Sequence, residues 1–233
     1  VVCTGKSEFY YTDNEGETWN QSSGLENIVS WGHIKKAVAV CDSINSIYLI
    51  ASEWNDFTNS QVVQLYRSQD QGSSFSGVKR FTTNIDRVDM EIGSAGHTLL
   101  TGCATEENTI LYAYLNGDIH RSTDNGASYQ NWELIGDRPT EPFFSMSFSC
   151  SANNPNQLYI GGASWNAVNA WWDYYDNPEE KLHADIPNIK SVLSSGGEEI
   201  IYVATDGGLY KSTDSLETVK NISLKDLNVG QYY

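Results

Sequence analysis

Apolar residues along this chain fall in short runs, separated by polar clusters rich in Ser, Asn, Asp and Gly. Ile47 to Ser52, Ile110 to Leu115, Leu158 to Ala163 and Ile200 to Ala204 are near-continuously apolar, the pattern of strands covered on both faces. Ahead of two of them, Lys36 to Cys41 and Phe144 to Cys150 alternate apolar and polar residues, which predicts neighbouring strands. After each of three runs comes an aliphatic–aromatic or aliphatic–His pair, then a polar turn. One such stretch is Ile119-His120-Arg121-Ser122-Thr123-Asp124-Asn125-Gly126-Ala127-Ser128-Tyr129. It reads as strand, tight turn and return strand: Asp and Asn bond their own backbone, and Gly supplies a positive φ without steric cost. No apolar-periodic stretch is long enough to predict a major helix.

The pattern recurs. Leu65 to Phe75 carries Ser68, Asp70 and Gly72 at the same places, and Phe9 to Trp19 has Asn14 in the Asp place. Leu209 to Val219 keeps Ser212 and Asp214 but has lost both the Gly and the aromatic. Val2, Tyr48, Tyr112, Tyr159 and Tyr202 share one repeat position, at intervals of 46, 64, 47 and 43 residues. Residues 1–19 align with 201–219 without a gap. A period of this size, with a few short strands per unit, predicts a propeller or a solenoid. The repeats lie near 1–32, 33–80, 81–138, 139–188 and 189–233, forming a single region.

The turns resemble the Asp-box, the bacterial neuraminidase repeat, whose pattern is Ser/Thr-x-Asp-x-Gly-x-Thr/Ser-aromatic. The resemblance implies an all-β fold, a β-propeller of four to five four-stranded blades with Asp-box hairpins as the outer strand pairs. It assigns Ser68, Asp70, Gly72, Ser122, Asp124, Gly126 and Asp214 to structural roles in those turns. From about residue 140 the order of features is similar to that of large secreted propeller proteins of Bacteroidetes, described as sortilin-like or xyloglucanase-like. Those features are Leu158-Tyr159-Ile160-Gly161-Gly162, an aromatic insertion, His183-Ala184-Asp185-Ile186, Ile201 to Asp214, and Leu227 to Tyr233. Pro187 stands where that resemblance would place a second His. It implies a secreted or cell-surface location and a module of a larger protein.

Charge narrows the classes of partner. Thirty acidic residues against fourteen basic ones give a formal charge of −16, which argues against nucleic acid and against an anionic membrane surface. No run approaches the ~20 apolar residues of a membrane span. Cys41, Cys103 and Cys150 share a repeat position at the end of the inner strand. Neighbouring sheets pack ~10 Å apart and a disulfide needs Cα atoms within ~7 Å, so four free thiols, Cys3 included, are expected. Residues 1–19 and 201–219 are duplicates and cannot complete one another in one sheet. Both ends are therefore expected to abut further parts of the parent chain or partner subunits.

Candidate chemistry is sparse. Trp165, Trp171, Trp172, Tyr174 and Tyr175 fall in one loop-rich stretch with Asn and Asp between them; flat rings with polar flanks suit sugar faces or a protein hot spot. Asp173 and Asp176 are candidate Ca²⁺ ligands, without the regular spacing of a calcium loop. Thr205-Asp206-Gly207-Gly208 resembles the turn carrying a catalytic Asp in xyloglucan-cleaving propellers, but glycoside hydrolysis needs a carboxylate pair, and the repeat offers only Asp206. His183 and Asp185 form a pair that can fix a blade junction. Arg67 and Arg121 sit inside the polar-turn repeats, leaving little for the three-Arg clamp of a sialidase, and no Ser-His-Asp arrangement is legible. The reading is an extracellular binding or scaffolding propeller module for a protein or glycan ligand, without cofactor. The alternative is one lobe of a glycoside hydrolase acting on a polysaccharide.

Overall fold

The computed structural model describes residues 2–4, 8–26, 28, 33–40, 42–55, 60–82, 99–115, 118–131, 147–161, 177–183 and 186–223. Among them there is no α-helix; the chain is all-β and builds several small antiparallel sheets. The first holds β1 (Val2–Thr4), β2 (Glu8–Tyr11) and β3 (Asn20–Gln21). The second is β4 (His33–Ala39), β5 (Ile47–Asn55), β6 (Ser60–Ser68) and β7 (Ser76–Thr82), and the third is β8 (Leu99–Ala104), β9 (Thr109–Leu115), β10 (Asp118–Ser122) and β11 (Gln130–Asn131). A pair follows, β12 (Ser147–Cys150) and β13 (Leu158–Gly161). The last sheet is β14 (Asn188–Leu193), β15 (Glu199–Thr205), β16 (Gly208–Ser212) and β17 (Lys220–Asn221). In every sheet, neighbours in the chain are neighbours in space. The chain divides into two compact units, 1–133 and 134–233.

In the first unit, β5 is covered on both faces. Ile47, Leu49 and Ala51 turn one way and pack with Phe9, Leu25, Tyr66 and Phe75. Tyr48 and Ile50 turn the other way, against Leu65, Leu100, Leu111 and Ala113. This explains the continuous apolar run: period-2 alternation disappears when water touches neither face. In the second unit the burial does alternate. Ile201 and Val203 pack with Tyr159, Ile189 and Tyr210, while Ile200 and Tyr202 stay half-buried.

Polar groups at the strand ends join sheet to sheet. Ser46, Thr109 and Glu199 stand just before their apolar runs, Thr109 and Glu199 at one repeat position, and all three are buried. The Thr109 hydroxyl donates to Asp42 Oδ2 on the preceding sheet at 3.2 Å. The amides of Ile44 and Ser46 donate to Asp42 Oδ1 at 3.2 and 2.8 Å. In the second unit the polarity is reversed. Ser151, at the repeat place of Asp42, donates its hydroxyl at 2.6 Å to Glu199, at the place of Thr109. Ser191 Oγ (2.6 Å), the Ala152 amide (2.9 Å) and the Tyr159 hydroxyl (2.9 Å) complete the set around Glu199. Burial raises the pKa of Glu199, but these donors outweigh it and hold the carboxyl below its ordinary value.

Backbone bonds also cross between sheets. The Phe75 amide donates to the Ser23 carbonyl at 2.9 Å, and the Ser23 amide to the Ser73 carbonyl at 3.1 Å. Gly24 makes this approach feasible: its φ is +83°, and a Cβ there would stand 1.9 Å from the Phe75 carbonyl oxygen.

The expectation of four free thiols is corrected: Cys103 and Cys150 each stand in a disulfide. The ~10 Å spacing that argued otherwise assumes two full layers of side chains between sheets. Beside Cys103, Gly102 has none, and Val40 Cγ2 lies 2.9 Å from where its Cβ would be. Beside Cys150, Ser149 Oγ accepts the Ser191 amide at 2.9 Å. At Gly102 the neighbouring strand thus comes closer than two full layers of side chains would allow. Cys41 and the side chain of Cys3 lie outside the described residues.

Glu199 supplies a test of the second junction. Glu199→Ala leaves two hydroxyls and a phenol without their acceptor, and should cost about 3 kcal/mol or more. Glu199→Gln, which keeps one acceptor oxygen, should cost less. Urea unfolding measures both; equal losses would show that burial, not the acceptor, is what matters.

Candidate functional site

The residues that the sequence marks most strongly lie in four hairpin turns, and their geometry repeats. Ser68 Oγ donates to Asp70 Oδ1 at 2.7 Å and accepts the Gly72 amide at 2.8 Å. Asp70 also accepts the Ser74 amide at 2.9 Å and the Ser74 hydroxyl at 2.6 Å. Ser122, Asp124, Gly126 and Ser128 reproduce the set, with Ser122 Oγ to Asp124 Oδ1 at 2.7 Å and the Gly126 amide to Ser122 Oγ at 2.9 Å. So do Ser212, Asp214, Leu216 and Thr218. In the first turn Thr12 and Asn14 take these places. One bond runs backwards there: Asn14 Nδ2 donates to Thr18 Oγ1 at 2.8 Å, where an Asp would accept.

Two consecutive residues in each turn have positive φ: Glu15-Gly16, Gln71-Gly72, Asn125-Gly126 and Ser215-Leu216. The second is glycine in three turns for this reason. Leu216, at φ +71°, holds the same conformation at a steric cost. The aromatic that closes the turn reaches the preceding sheet. Phe75 meets Phe9 edge-on, with ring centroids 5.0 Å apart, and Tyr129 meets Phe81 at the same distance. Trp19, at the same place, is 46% exposed.

The turn carboxylates are consumed by these bonds. Burial raises the pKa of Asp70 and Asp124, but the serine hydroxyls and turn amides outweigh it and lower both. For Asp214, the Thr218 hydroxyl and amide, with Ser212, bring the pKa to about 2. A saturated, acidic carboxylate of this kind ties down a turn and is a poor base or nucleophile.

Arg67 and Arg121 are likewise engaged. Each guanidinium lies over the tyrosine paired with it across the strands, Arg67 over Tyr48 at 5.3 Å and Arg121 over Tyr112 at 5.8 Å. Arg67 also donates to Ser46 Oγ at 3.0 Å and approaches Asp42 at 3.7 Å.

Asp206 sits exposed on the tight turn between β15 and β16. The Gly207 amide donates to Thr205 Oγ1 at 3.1 Å. Gly208 has a φ of +125°, and a Cβ there would lie 2.1 Å from Ser223 Oγ. Gly208 of this motif therefore answers to backbone geometry and to close approach. His183 lies in the segment 177–183, while Asp185 lies outside the described residues. Trp165, Trp171, Trp172, Tyr174 and Tyr175 are outside them too, as are Asp173 and Asp176. Among the described residues no group of three or more His, Cys, Asp or Glu side chains could hold a metal ion.

One feature escaped the sequence reading. A groove of about 900 Å³ runs beside the fourth turn, lined among others by Lys181, Leu182, Lys211, Leu216, Thr218 and Lys220. Leu216 and Val219 stand there in place of a glycine and an aromatic. The loss of those two residues from the repeat was the available signal.

No family model matches the sequence, and the search of curated proteins found no match. Among solved structures, the major Malassezia sympodialis allergen Mala s 1 is similar over 97% of this chain and 80% of its own, with 11% identity and a TM-score of 0.43.

The turns generate two predictions. Gly126→Ala places a methyl at φ +87°, 2.5 Å from Leu65 Cδ2, and should destabilise by about 2 kcal/mol or more. Asp124→Asn should cost about 1 kcal/mol, because an amide can reverse one bond as Asn14 does, and Asp124→Ala should cost more. Chemical denaturation orders the three variants. The pH dependence has a fixed sign: carboxyls depressed in the folded state stabilise it above their unfolded pKa, and that contribution is lost on acidification. For Asp214 the window runs from 3.8 down to about 2, and Asp214→Asn should flatten the acid limb of the stability curve there.

Proposed function

We propose that this chain is a propeller module of the Asp-box type, belonging to a larger secreted or cell-surface protein, and that it works as a binding or scaffolding surface. The carrying observation is the exposure of Trp19. Its counterparts Phe75 and Tyr129 seat on the sheet before them, so Trp19 presents a ring that the repeat pattern would have covered. Leu193, the last residue of β14, is 51% exposed, and Ile200 and Tyr202 on the next strand are half-buried. Apolar faces left open at repeat positions favour further polypeptide, from the parent chain or a partner subunit, as what this module meets. The oxidised cysteines are in keeping with an extracellular location.

The ligand surface of this reading is the aromatic insertion, with Trp165, Trp171, Trp172, Tyr174 and Tyr175 stacking on a sugar face or anchoring a protein. The hydrolase alternative rests on Asp206 alone. Gly208 beside it is accounted for by backbone geometry, and no second carboxylate is assigned to the pair that glycoside hydrolysis needs, so binding without catalysis is preferred.

Light scattering after size exclusion tests the scaffolding half. The isolated 233 residues should self-associate, and Trp19→Ser with Leu193→Ser should shift them toward monomer. A wild-type chain that stays monomeric at high concentration counts against the reading. Calorimetric titration with soluble glucan and xyloglucan oligosaccharides tests the glycan half, with Trp171→Ala and Trp172→Ala expected to abolish any heat of binding.

A further inference from the structure

Two Asn-x-Ser sequons occur in the chain, Asn20-Gln21-Ser22 and Asn221-Ile222-Ser223, neither with proline in the middle. Such a tripeptide is the acceptor for Asn-linked glycans wherever the glycosylating machinery meets it. The fold treats the two differently. Asn20 is exposed, on the short edge strand β3, where a glycan would project into solvent.

Asn221 is buried, at 2% exposure, on β17. Its Nδ2 donates to the Gly207 carbonyl at 3.2 Å and to the Pro178 carbonyl at 3.3 Å. Its Oδ1 accepts the Ser223 hydroxyl at 2.7 Å and the Ser223 amide at 3.0 Å. Its backbone amide donates to the Glu179 carbonyl at 2.7 Å. One side chain therefore joins the outer strand to the β15–β16 turn and to the segment 177–183. A Cβ on Gly208 would already lie 3.3 Å from the Asn221 amide, so no room is left around it.

Glycosylation acts on that same atom. The amide nitrogen attacks C1 of an oligosaccharide carried on a lipid pyrophosphate. The Nδ2–C1 bond forms, the C1–oxygen bond to the pyrophosphate breaks, the nitrogen gives up one proton, and the lipid pyrophosphate leaves. The product keeps one N–H where the fold uses two, and it carries a hydrated sugar in a site without space for it. A chain modified at Asn221 cannot close β17 onto β16.

We infer that Asn221 must stay unmodified for the second unit to fold, and that the chain matures in a compartment that oxidises thiols but does not glycosylate Asn-x-Ser. The oxidised Cys103 and Cys150 supply the first half, and the buried sequon supplies the second. The inference goes beyond the binding role proposed above and stands apart from any ligand, since it is read from folding and not from binding.

The test expresses the full chain behind a secretion signal in mammalian cells, with and without an inhibitor of lipid-linked oligosaccharide synthesis. Yields are normalised to a secreted reporter that has no sequon. Peptide mapping locates glycans in the retained and secreted pools, and the same chain is made in an oxidising bacterial periplasm for comparison. Retained chains should carry a glycan at Asn221, the inhibitor should raise folded, secreted protein several-fold, and the periplasmic chain should fold with Cys103 and Cys150 oxidised. Asn20→Gln should not relieve the block. Folded, secreted protein glycosylated at Asn221 would overturn the inference. So would folded, secreted protein with a bare Asn221 and a yield indifferent to the inhibitor.

Discussion

Each outer hairpin is closed around one hydroxyl oxygen. Ser68 Oγ gives its proton to Asp70 and takes the proton of the Gly72 amide, and Ser122 and Ser212 do the same in their own turns. The carboxylate then collects the amide and hydroxyl two residues beyond the glycine place. Nearly every polar group that the tight turn would leave unpaired is thereby used. This arrangement aims the closing aromatic at the preceding sheet, so that a local hydrogen-bond pattern becomes long-range packing. Phe75 on Phe9 and Tyr129 on Phe81 are its products.

Packing between sheets raises the complementary difficulty of polar strand ends in an apolar layer. The two junctions described solve it with one carboxylate each, on opposite sides. Asp42 faces the Thr109 hydroxyl in the first unit, and Glu199 faces the Ser151 hydroxyl in the second. One acidic group per junction avoids a buried pair of like charges, and a partner hydroxyl can serve as donor from either side. Where no side chain bridges, the backbones themselves meet, as at Gly24 and Phe75.

The fourth turn shows what happens when the repeat erodes. Leu216 keeps the left-handed backbone that glycine provides elsewhere, and Val219 replaces the aromatic. The polar network around Asp214 survives intact, so the turn keeps its shape with a smaller side chain at the aromatic's place. Leu216 and Val219 pack against the core of the second unit and also line the groove beside the turn. Stability and surface are thus separable in this architecture: the hydroxyl–carboxylate pair holds the hairpin, and the residues around it are left to vary.

The all-β class, the order of strands within the described sheets and the place of the four polar turns were legible in the residues alone, because these depend on local spacing. An apolar run bounded by Ser, Asp and Gly has few conformations open to it, and Ser68, Asp70, Ser122, Asp124 and Asp214 bond within a few residues of themselves. Tertiary structure decided what depends on distance between strands remote in the chain. The oxidised state of Cys103 and Cys150 is one such outcome, since a mean sheet spacing does not convey how closely one strand can approach another, as at Gly102. The burial of Glu199 among Ser151, Tyr159 and Ser191 brings together residues up to 48 apart. The difference between two identical-looking sequons, one exposed and one sealed, likewise exists only after the sheets have packed.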